Sequence, residues 1–370
     1  MKKTLILVAA LLLVLTTVFT GCAPQVAETS ETPATTEAPA SEPAATEAAE
    51  EAPAATETPA ELPDSIVIGY QNIPNDEIVA IAKGWYESEL GVTVELKQFD
   101  SGRDVNTAFA AGSIDIGLLG SAPTSVGIST GIPYQVFWIH DVIGSAESLA
   151  VKNDSGIEKI EDLTGKTIAT PFASTAHYSL LSALELAGVD PAGVKIIDLQ
   201  PQDILAAWQR GDIDGAYVWY PVLGELLKDG KVITDSAKLA EQGALTADLG
   251  VVSAEFAEKY PELVTAYIKA LDKAVALYNS TPDDAAQAIA DKLGITKEEA
   301  LDQASQLIWL TAAEQTGEAY LGTASAKGQL AETLLSTAEF LVEQGSIDQA
   351  ASLEDFRNAI NTTFIEAASK

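Results

Sequence analysis

Two similar stretches decide the fold: they read FAAGSIDIG at residues 109–117 and AWQRGDIDGA at residues 207–216. Each contains the end of a predicted helix, a glycine, a tight turn with an acidic residue, and the start of a new strand. Turns between helices and strands favour these residues in general, so chance resemblance is an alternative explanation. We interpret the repeat as the mark of two similar lobes.

Short apolar strands alternate with helices from residue 66 to residue 218. The first strand, IVIGY at 66–70, is rich in β-branched residues and precedes an amphipathic helix over about 76–87. This alternation predicts an α/β fold with a mostly parallel sheet covered by helices. Further strands are predicted at 92–96, 114–119, 134–139, 167–170, 194–198 and 214–218, and further helices at 103–111, from about 122, at 175–187 and at 203–210.

The C-terminal part of the chain has a different pattern. From Ala254 onward the strands are expected to disappear, and amphipathic helices follow one another. The folded part from Pro63 to Lys370 also exceeds the size that a single hydrophobic core supports, so two lobes are expected. The predicted C-terminal helices cover 255–279, 283–292, 297–309 and 325–344.

The N-terminus predicts the compartment. Two lysines precede an apolar run over residues 4–20, which is shorter than the roughly 20 residues of a membrane span. The run ends in Phe-Thr-Gly-Cys22, which resembles a bacterial lipobox; an ordinary secretory signal with a chance cysteine is the alternative. The resemblance implies a signal peptide over 1–21 and a diacylglyceryl group on Cys22, whose two acyl chains suffice for stable anchoring in a membrane. With no other cysteine in the chain, no disulfide is expected.

Residues 22–62 are predicted to be a disordered tether behind this anchor. After Cys22 the segment consists mainly of Ala, Thr, Glu and Pro, with nine Glu and no Lys or Arg. Such a composition buries too little apolar surface to offset its ordering entropy, and six prolines argue against a helix, which is the alternative. A flexible coil of this length spans roughly 30–40 Å. This length suits a protein on the outer face of a cytoplasmic membrane.

Charge and composition exclude some function classes. The net charge is −33, and the tether contributes −9 of it. Nucleic-acid binding is disfavoured because phosphate groups need a basic face. The acidity itself indicates solubility and does not identify a ligand. An enzyme is also disfavoured, because the chain has two histidines, one cysteine and no nucleophile motif or metal-ligand cluster.

Six segments of the chain together carry a family resemblance. They are PFASTAHYSLL at 171–181, DLQP at 198–201, AAWQRGDIDGAYVW at 206–219, KDGKVITDS at 228–236, FDSG at 99–102 and LGSAP at 119–123. These segments resemble the signature of taurine-binding proteins of ABC importers. The long match between residues 171 and 236 is specific, whereas a Gly-Ser-x-Pro motif alone is shared with sulfonate, nitrate and pyrimidine binders.

The resemblance implies a two-lobed type II periplasmic binding protein with extra C-terminal helices. Lobe 1 would comprise 63–148 and 253–370, and lobe 2 would comprise 149–252. Two crossovers near Glu147–Val151 and Leu249–Ser253 would form the hinge. Such a protein captures a small solute between its lobes and delivers it to an ABC permease with a cytoplasmic ATPase. A monomer without a cofactor is expected.

The start of one helix in each lobe is a candidate anion site. Free N–H groups and the helix dipole at a helix N-terminus favour an anion such as a sulfonate. Gly120 and Ser121 precede one helix, with Pro123 near its first turn, and Ser174 and Thr175 precede the other. The alternative is that these residues only cap the helices, and both roles are compatible. His177, one turn further along, either donates to the sulfonate or simply packs.

An ammonium group in the ligand requires acceptors or aromatic faces. Glu147 and Asp248 match acidic positions of the family pattern, and a buried unpaired carboxylate would cost a binder of amine-free sulfonates several kcal/mol. An acid in the cleft therefore indicates an amine, unless these residues are ordinary loop charges. Trp219 and Tyr217 are candidates for cation–π contact with the ammonium, with packing in the core as the equal alternative. Gln71, Asp100 and Gln200 at strand ends are candidates of lower weight.

The chain departs from the family pattern after Asp248. The family usually carries an aromatic residue there, whereas this chain has Leu249 and Gly250. We expect this difference to open one side of the pocket. Alternative functions on the same fold are binding of an alkanesulfonate, nitrate or a pyrimidine precursor, and a sensor that feeds no importer.

Overall fold

The computed structural model describes residues 62–369, which fall within one compact unit of the chain. The predicted signal peptide, Cys22 and nearly all of the predicted tether lie outside the described residues. The strands are β1 (Ser65–Tyr70), β2 (Thr93–Gln98), β3 (Ile116–Gly120), β4 (Tyr134–Ile143), β5 (Glu147–Lys152), β6 (Thr167–Thr170), β7 (Lys195–Asp198), β8 (Gly215–Trp219), β9 (Gly230–Asp235), β10 (Ala247–Ser253) and β11 (Leu307–Ile308).

Helices alternate with the strands as far as β10, and most of the chain after β10 is helical. Two short 3₁₀ turns lie at Ile160–Leu163 and Pro191–Gly193. The α-helices are α1 (Asp76–Ala82), α2 (Trp85–Leu90), α3 (Gly102–Ala110), α4 (Ser121–Ser129), α5 (Thr175–Leu186), α6 (Pro201–Arg210), α7 (Val222–Leu226), α8 (Ser236–Ala240), α9 (Ala254–Lys259), α10 (Pro261–Ser280), α11 (Pro282–Leu293), α12 (Lys297–Ala304), α13 (Ala312–Gln315), α14 (Leu330–Glu343), α15 (Leu353–Ala359) and α16 (Thr363–Ala368).

The strands form two mixed sheets. The first has the order β11-β4-β10-β3-β1-β2, and the second has the order β7-β6-β8-β5-β9. In the first sheet β1 is parallel to β2 and β3, whereas β10 is antiparallel to β3 and β4. In the second sheet β6 is parallel to β7 and β8, whereas β5 is antiparallel to β8 and β9. The α/β class is confirmed, and the strands predicted from the sequence, β1 to β4 and β6 to β8, run in one direction within each sheet. The sheets are mixed because β5, β10 and β11 run in the opposite direction.

The repeated sequence stretches occupy equivalent positions in the two sheets. Asp115 stands just before β3, and its Oδ2 accepts from the N–H of Val67 in β1 at 2.8 Å. Asp214 stands just before β8, and its Oδ2 accepts from the N–H of Thr167 at the start of β6 at 2.8 Å. The backbone N–H of Asp115 donates in turn to the carbonyl of Val67, and that of Asp214 donates to the carbonyl of Thr167, each at 2.9 Å. The acidic residue therefore fixes two parallel strands against each other in both sheets.

The chain passes between the sheets at places that differ from the predicted crossovers. Glu147–Val151 lies within β5 of the second sheet, and Leu249–Ser253 lies within β10 of the first sheet. The passages are residues 144–146 and the segment 241–246. The predicted crossovers are wrong because both apolar runs are fully paired strands, and β10 is the central antiparallel strand between β3 and β4.

The C-terminal helices pack on the first sheet and reach the second. Leu334 of α14 accepts through its carbonyl from Ser125 Oγ of α4 at 2.9 Å, and Phe340 packs edge-on against Tyr178 of α5. The expectation that strands disappear after Ala254 is wrong at one place, since β11 pairs with the end of β4. The predicted helix 255–279 is two helices that divide at Pro261, which lacks an N–H donor. Within residues 62–369, no helix is long and apolar enough to span a bilayer.

Candidate binding site between the two sheets

A cavity lies where strand ends and helix starts from both sheets meet. Its empty volume is about 440 Å³, part of which is open to solvent. The carboxyl ends of strands in α/β sheets are the usual place for a ligand. Seven predicted site residues line it, together with Pro123. The lining residues are Gln71, Ile73, Pro74, Gly102, Gly120, Pro123, Ile143, Ala146, Glu147, Ser174, Thr175, Trp219, Tyr220, Asp248 and Leu307.

The starts of α4 and α5 touch each other across this cavity. A Cβ atom built on Gly120 would lie 2.5 Å from Cγ2 of Thr175, so the two helix starts are in direct contact. Two polar contacts also join the sheets: Arg103 Nη1 lies 2.7 Å from Asp198 Oδ2, and Gln200 Nε2 donates to Asp104 Oδ2 at 3.0 Å. The cleft between the sheets is therefore closed.

The hydroxyl of Ser174 is already used by the protein. Its Oγ accepts from the N–H of His177 as the N-cap of α5, and it donates to the carbonyl of Pro171 at 2.6 Å. Ala173, just before it, has a positive φ of 58°, which turns the chain sharply into the helix. The first N–H groups of a helix have no acceptor inside that helix. An anion at this end of the cavity would therefore bind to backbone N–H groups at the start of α5.

Glu147 is a buried carboxyl held by three hydroxyl groups. Thr175 Oγ1 donates to Oε2 at 2.6 Å, and Ser236 and Ser179 donate to Oε1 at 3.0 and 3.4 Å. Burial raises the pKa of Glu147 to about 7, although these hydrogen bonds oppose the shift. The carboxyl is fixed at the cavity wall and titrates near neutral pH.

Asp248 is the second carboxyl of the cavity. It is the second residue of β10, where it is paired with Gly120 of β3 on one side and with Asp141 of β4 on the other. Burial is the main cause that raises its pKa well above the usual range, and the charges of Asp141 and Glu147 add to the shift. Among the described residues that line the cavity there is no Lys, Arg or His. In the closed cavity these carboxyls are therefore neutralised either by a proton or by a positive charge on the ligand.

A buried polar network behind Asp248 was not predicted from the sequence. His140 Nδ1 lies 2.7 Å from Asp76 Oδ1, and His140 Nε2 lies 3.5 Å from Glu77 Oε2. Burial lowers the pKa of His140, but these carboxylates raise it by more, so the net shift is upward. The predicted strand ended at Ile139, whereas β4 continues to Ile143. The signal that was missed is the His-Asp pair followed by two more apolar residues, which indicates a charged pair inside a buried strand.

Four predicted site residues lie outside the cavity. Ser121 Oγ accepts from the N–H of Ala247, and Gln200 bridges to Ser101 and Asp104. His177 stacks on Phe172 at a centroid distance of 4.5 Å, and burial lowers its pKa to about 4, so it is neutral. Asp100 lines an adjacent space at the cleft mouth. Tyr217, for which core packing was the alternative to cation–π contact, is fully buried and its hydroxyl lies 3.3 Å from Ser236 Oγ.

Leu249 and Gly250 do not open the pocket, so that expectation is wrong. Leu249 is fully buried in the core. The space beside Gly250 is filled from within the protein, because a Cβ there would lie 3.0 Å from Cβ of Trp138 and 3.2 Å from Nε2 of His140. The missing side chain therefore makes room for the buried histidine network and not for a ligand.

This close packing predicts the effect of Gly250→Ala. The added methyl group must displace Trp138 or His140, so we expect the free energy of unfolding to fall by about 1–2 kcal/mol. Urea denaturation measures this change. Gly193→Ala is the matched control, since its Cβ would have an ordinary 3.6 Å contact with Thr164, and we expect a change within about 0.5 kcal/mol. Equal stability of the Gly250→Ala variant and the wild type would contradict the packing.

Groups of three His, Cys, Asp or Glu side chains with metal-binding geometry are absent from residues 62–369. The carboxyls of Glu147 and Asp248 lie in the cavity wall, where they present hydrogen-bond acceptors to a ligand. Together with two helix N-termini at the same cavity, they suit a small molecule that carries both an anionic and a cationic group.

Comparison with known proteins identifies the family. The profile of the family described as NMT1/THI5 like matches residues 76–285, more than half of the chain. The taurine-binding periplasmic protein of Escherichia coli (strain K12) is 39% identical over 308 residues, which cover 82% of this chain and 93% of the relative. The resemblance that the sequence motifs predict is therefore confirmed.

Solved structures share the fold. The alkanesulfonate-binding protein of Xanthomonas axonopodis pv. citri bound to MOPS superposes with a TM-score of 0.69 at 20% identity, covering 82% of this chain and 100% of that chain. The periplasmic aliphatic sulphonate binding protein of Escherichia coli gives a TM-score of 0.63 at 22% identity, covering 80% and 92%. These relatives are named as binding proteins, which agrees with the expectation of a binding protein and not an enzyme. The chain therefore belongs to the NMT1/THI5-like family, and its fold is that of the periplasmic binding proteins.

Proposed function

We propose that this protein is the extracytoplasmic substrate-binding component of an ABC importer and that it captures taurine between its two sheets. The observation that carries the proposal is the pair of buried carboxyls, Glu147 and Asp248, in a cavity whose described lining has no basic side chain. The name of the relative from Escherichia coli, at 39% identity, supports the same ligand.

Both ends of taurine match groups in the cavity. Its sulfonate is anionic at all relevant pH values, and the N–H groups at the starts of α4 and α5 would bind it, with Gly120 and Thr175 in contact. Its ammonium would lie against Asp248 and Glu147, with Trp219 and Gln71 on the remaining walls. A ligand that contacts both sheets binds the closed cleft more tightly than the open cleft. It therefore shifts the equilibrium between the two towards the closed form, to an extent set by this difference in affinity.

The two lobes, the lipid anchor and the permease complete the proposal. Lobe 1 would contain the first sheet with the C-terminal helices, and lobe 2 the second sheet, with the passages at 144–146 and 241–246 as the hinge. The lipid on Cys22 would hold the protein on the outer face of the cytoplasmic membrane, and residues 23–62 would be its tether. The closed monomer would dock on the permease, which works with a cytoplasmic ATPase.

Isothermal titration calorimetry on the chain from Pro63 onward tests the ligand. We expect micromolar or tighter binding of taurine, which corresponds to about −8 kcal/mol, and binding of ethanesulfonate that is at least tenfold weaker. Glycine betaine, which has a cation but no sulfonate, serves as the control and should bind more weakly than taurine. Equal affinity for ethanesulfonate and taurine would show that Glu147 and Asp248 do not bind the ammonium group.

The same titrations separate the alternatives. Binding of nitrate or a pyrimidine, with no binding of sulfonates, would show that the ligand is one of these alternatives and not taurine. A sensor would bind taurine with the same affinity, so uptake of labelled taurine by cells with and without this protein is needed to show transport. Unchanged uptake in cells that lack the protein would favour the sensor.

A further inference from the structure

Asp141 is the strand partner of Asp248, whose carboxyl faces the proposed ligand. It pairs with Asp248 across β4 and β10, so the two side chains project from neighbouring positions of the sheet. Asn75 Nδ2 donates to Asp141 Oδ2 at 2.9 Å. Asp141 Oδ1 is buried and has no hydrogen-bond partner among the described residues. Asp141 is fully buried, and Asp248 is 6% exposed at the cavity.

The charged groups around this pair are almost all acidic. Asp76 and Glu77 lie at the start of α1, Glu147 lies at the start of β5, and His140 precedes Asp141 on β4. His140 is engaged by Asp76 and Glu77. If every carboxyl were ionised in the empty cavity, one imidazolium would face five buried carboxylates. A low-dielectric site does not tolerate such an excess, and the usual response is proton uptake.

We propose that Asp141 and Asp248 share one proton in the empty cavity, and that the ammonium of the ligand displaces this proton on binding. The proton leaves to solvent and the pair becomes a dianion beside the ammonium, so the dianion with the ammonium has the same net charge as the pair with its proton. The negative charge of the sulfonate is met separately by the N–H groups at the starts of α4 and α5. Asp141 is then a positioning residue that acts through Asp248 and sets the preference for an amine-bearing ligand. This inference rests on the proposed function.

The electrostatics of the pair agree with this arrangement. Burial raises the pKa of Asp141, and burial together with the charge of Asp141 raises the pKa of Asp248. A carboxyl with a raised pKa stays protonated to higher pH, so a ligand that needs the ionised pair binds more weakly as the pH falls. A sulfonate without an amine has the opposite requirement, because the proton then replaces the missing ammonium.

The test is the pH dependence of two ligands measured by calorimetry on the chain from Pro63 onward. Between pH 8 and pH 5.5 we expect the affinity for taurine to fall at least tenfold, and the affinity for ethanesulfonate to stay constant or to rise. Titrations at pH 6 in two buffers of different ionisation enthalpy should show release of about one proton per bound taurine. Ethanesulfonate should release none.

Asp141→Asn separates this role from simple packing. The amide preserves the shape and the hydrogen bond to Asn75 after a rotation, but it cannot share the proton. We expect proton release to fall by roughly half or more, and the pH profile for taurine to flatten, with weaker binding at pH 8 and no loss at pH 5.5. Asp115→Asn, at the far end of the neighbouring strand, is the control and should retain the wild-type pH profile.

The outcomes are distinguishable. Taurine binding without proton release and with the same pH profile as ethanesulfonate would overturn the shared proton while leaving the proposed ligand intact. Failure of taurine to bind at any pH would overturn the proposed function itself. If Asp141→Asn fails to fold, the proton count and the two pH profiles of the wild type still decide the proposal.

Discussion

Gly120→Val is expected to raise the Kd for taurine by about 100-fold. The backbone at Gly120 has φ −66° and ψ 162°, which any residue adopts, so backbone strain is not the cause. The cause is contact, because a Cβ at this position would lie 2.5 Å from Cγ2 of Thr175 in the closed cleft. Overpacking of this kind costs about 1–3 kcal/mol, and the cost falls on the closed form of the protein. The variant therefore populates the open form, and taurine, which needs the closed form, binds more weakly. Calorimetry measures the affinity, and small-angle X-ray scattering measures closure.

The control for this variant is Gly193→Val. Gly193 is exposed, and its Cβ would have an ordinary contact at 3.6 Å, so binding and closure should match the wild type. Thermal unfolding of ligand-free Gly120→Val should also be close to that of Gly193→Val, since the clash exists only in the closed form. Tight taurine binding with normal closure in Gly120→Val would show that the two helix starts do not meet around the ligand.

Asp248→Asn is expected to weaken taurine binding by roughly 100-fold or more. Loss of one member of a buried charge pair costs about 2–5 kcal/mol, and 1.4 kcal/mol corresponds to a factor of ten in Kd. The affinity for ethanesulfonate should be unchanged or improved, since the variant removes a carboxylate that this ligand leaves unpaired. The ratio of the two Kd values, measured by calorimetry, is therefore the informative quantity.

Asp115→Asn is again the matched control, because its carboxyl caps the start of β1 and lies away from the cavity. Its ratio of taurine to ethanesulfonate affinity should equal that of the wild type. An unchanged ratio in Asp248→Asn would mean that the ammonium binds elsewhere. A parallel loss for both ligands would indicate that Asp248 only maintains the shape of the cavity.

Local sequence patterns predicted most of the strands and the equivalent positions of Asp115 and Asp214. Short-range signals determine these features: β-branched runs, a glycine after a helix, and an acidic residue in a turn. The patterns did not reveal β5 and β10, whose residues Glu147–Val151 and Leu249–Ser253 were predicted as crossovers. A short run of residues does not show by itself whether it joins a sheet or connects two sheets.

The candidate site was predictable where the family pattern marks it. Gly120, Thr175, Glu147 and Asp248 come together at one cavity. For His177 the sequence left donation to the sulfonate and packing as alternatives, and in the structure its ring stacks on Phe172. Helix spacing alone does not reveal such a contact. Asp141, His140 and Asp76 were missed because their proximity depends on strand register and on packing between elements distant in sequence.

The most direct test of the account is a crystal structure of the protein with taurine. We predict the ammonium nitrogen within hydrogen-bond distance, about 2.7–3.2 Å, of a carboxylate oxygen of Asp248, and the sulfonate at the starts of α4 and α5. Gly120 and Thr175 should remain in contact in that complex. A taurine molecule bound outside this cavity, or one whose ammonium lies more than about 4 Å from both Asp248 and Glu147, would contradict the account.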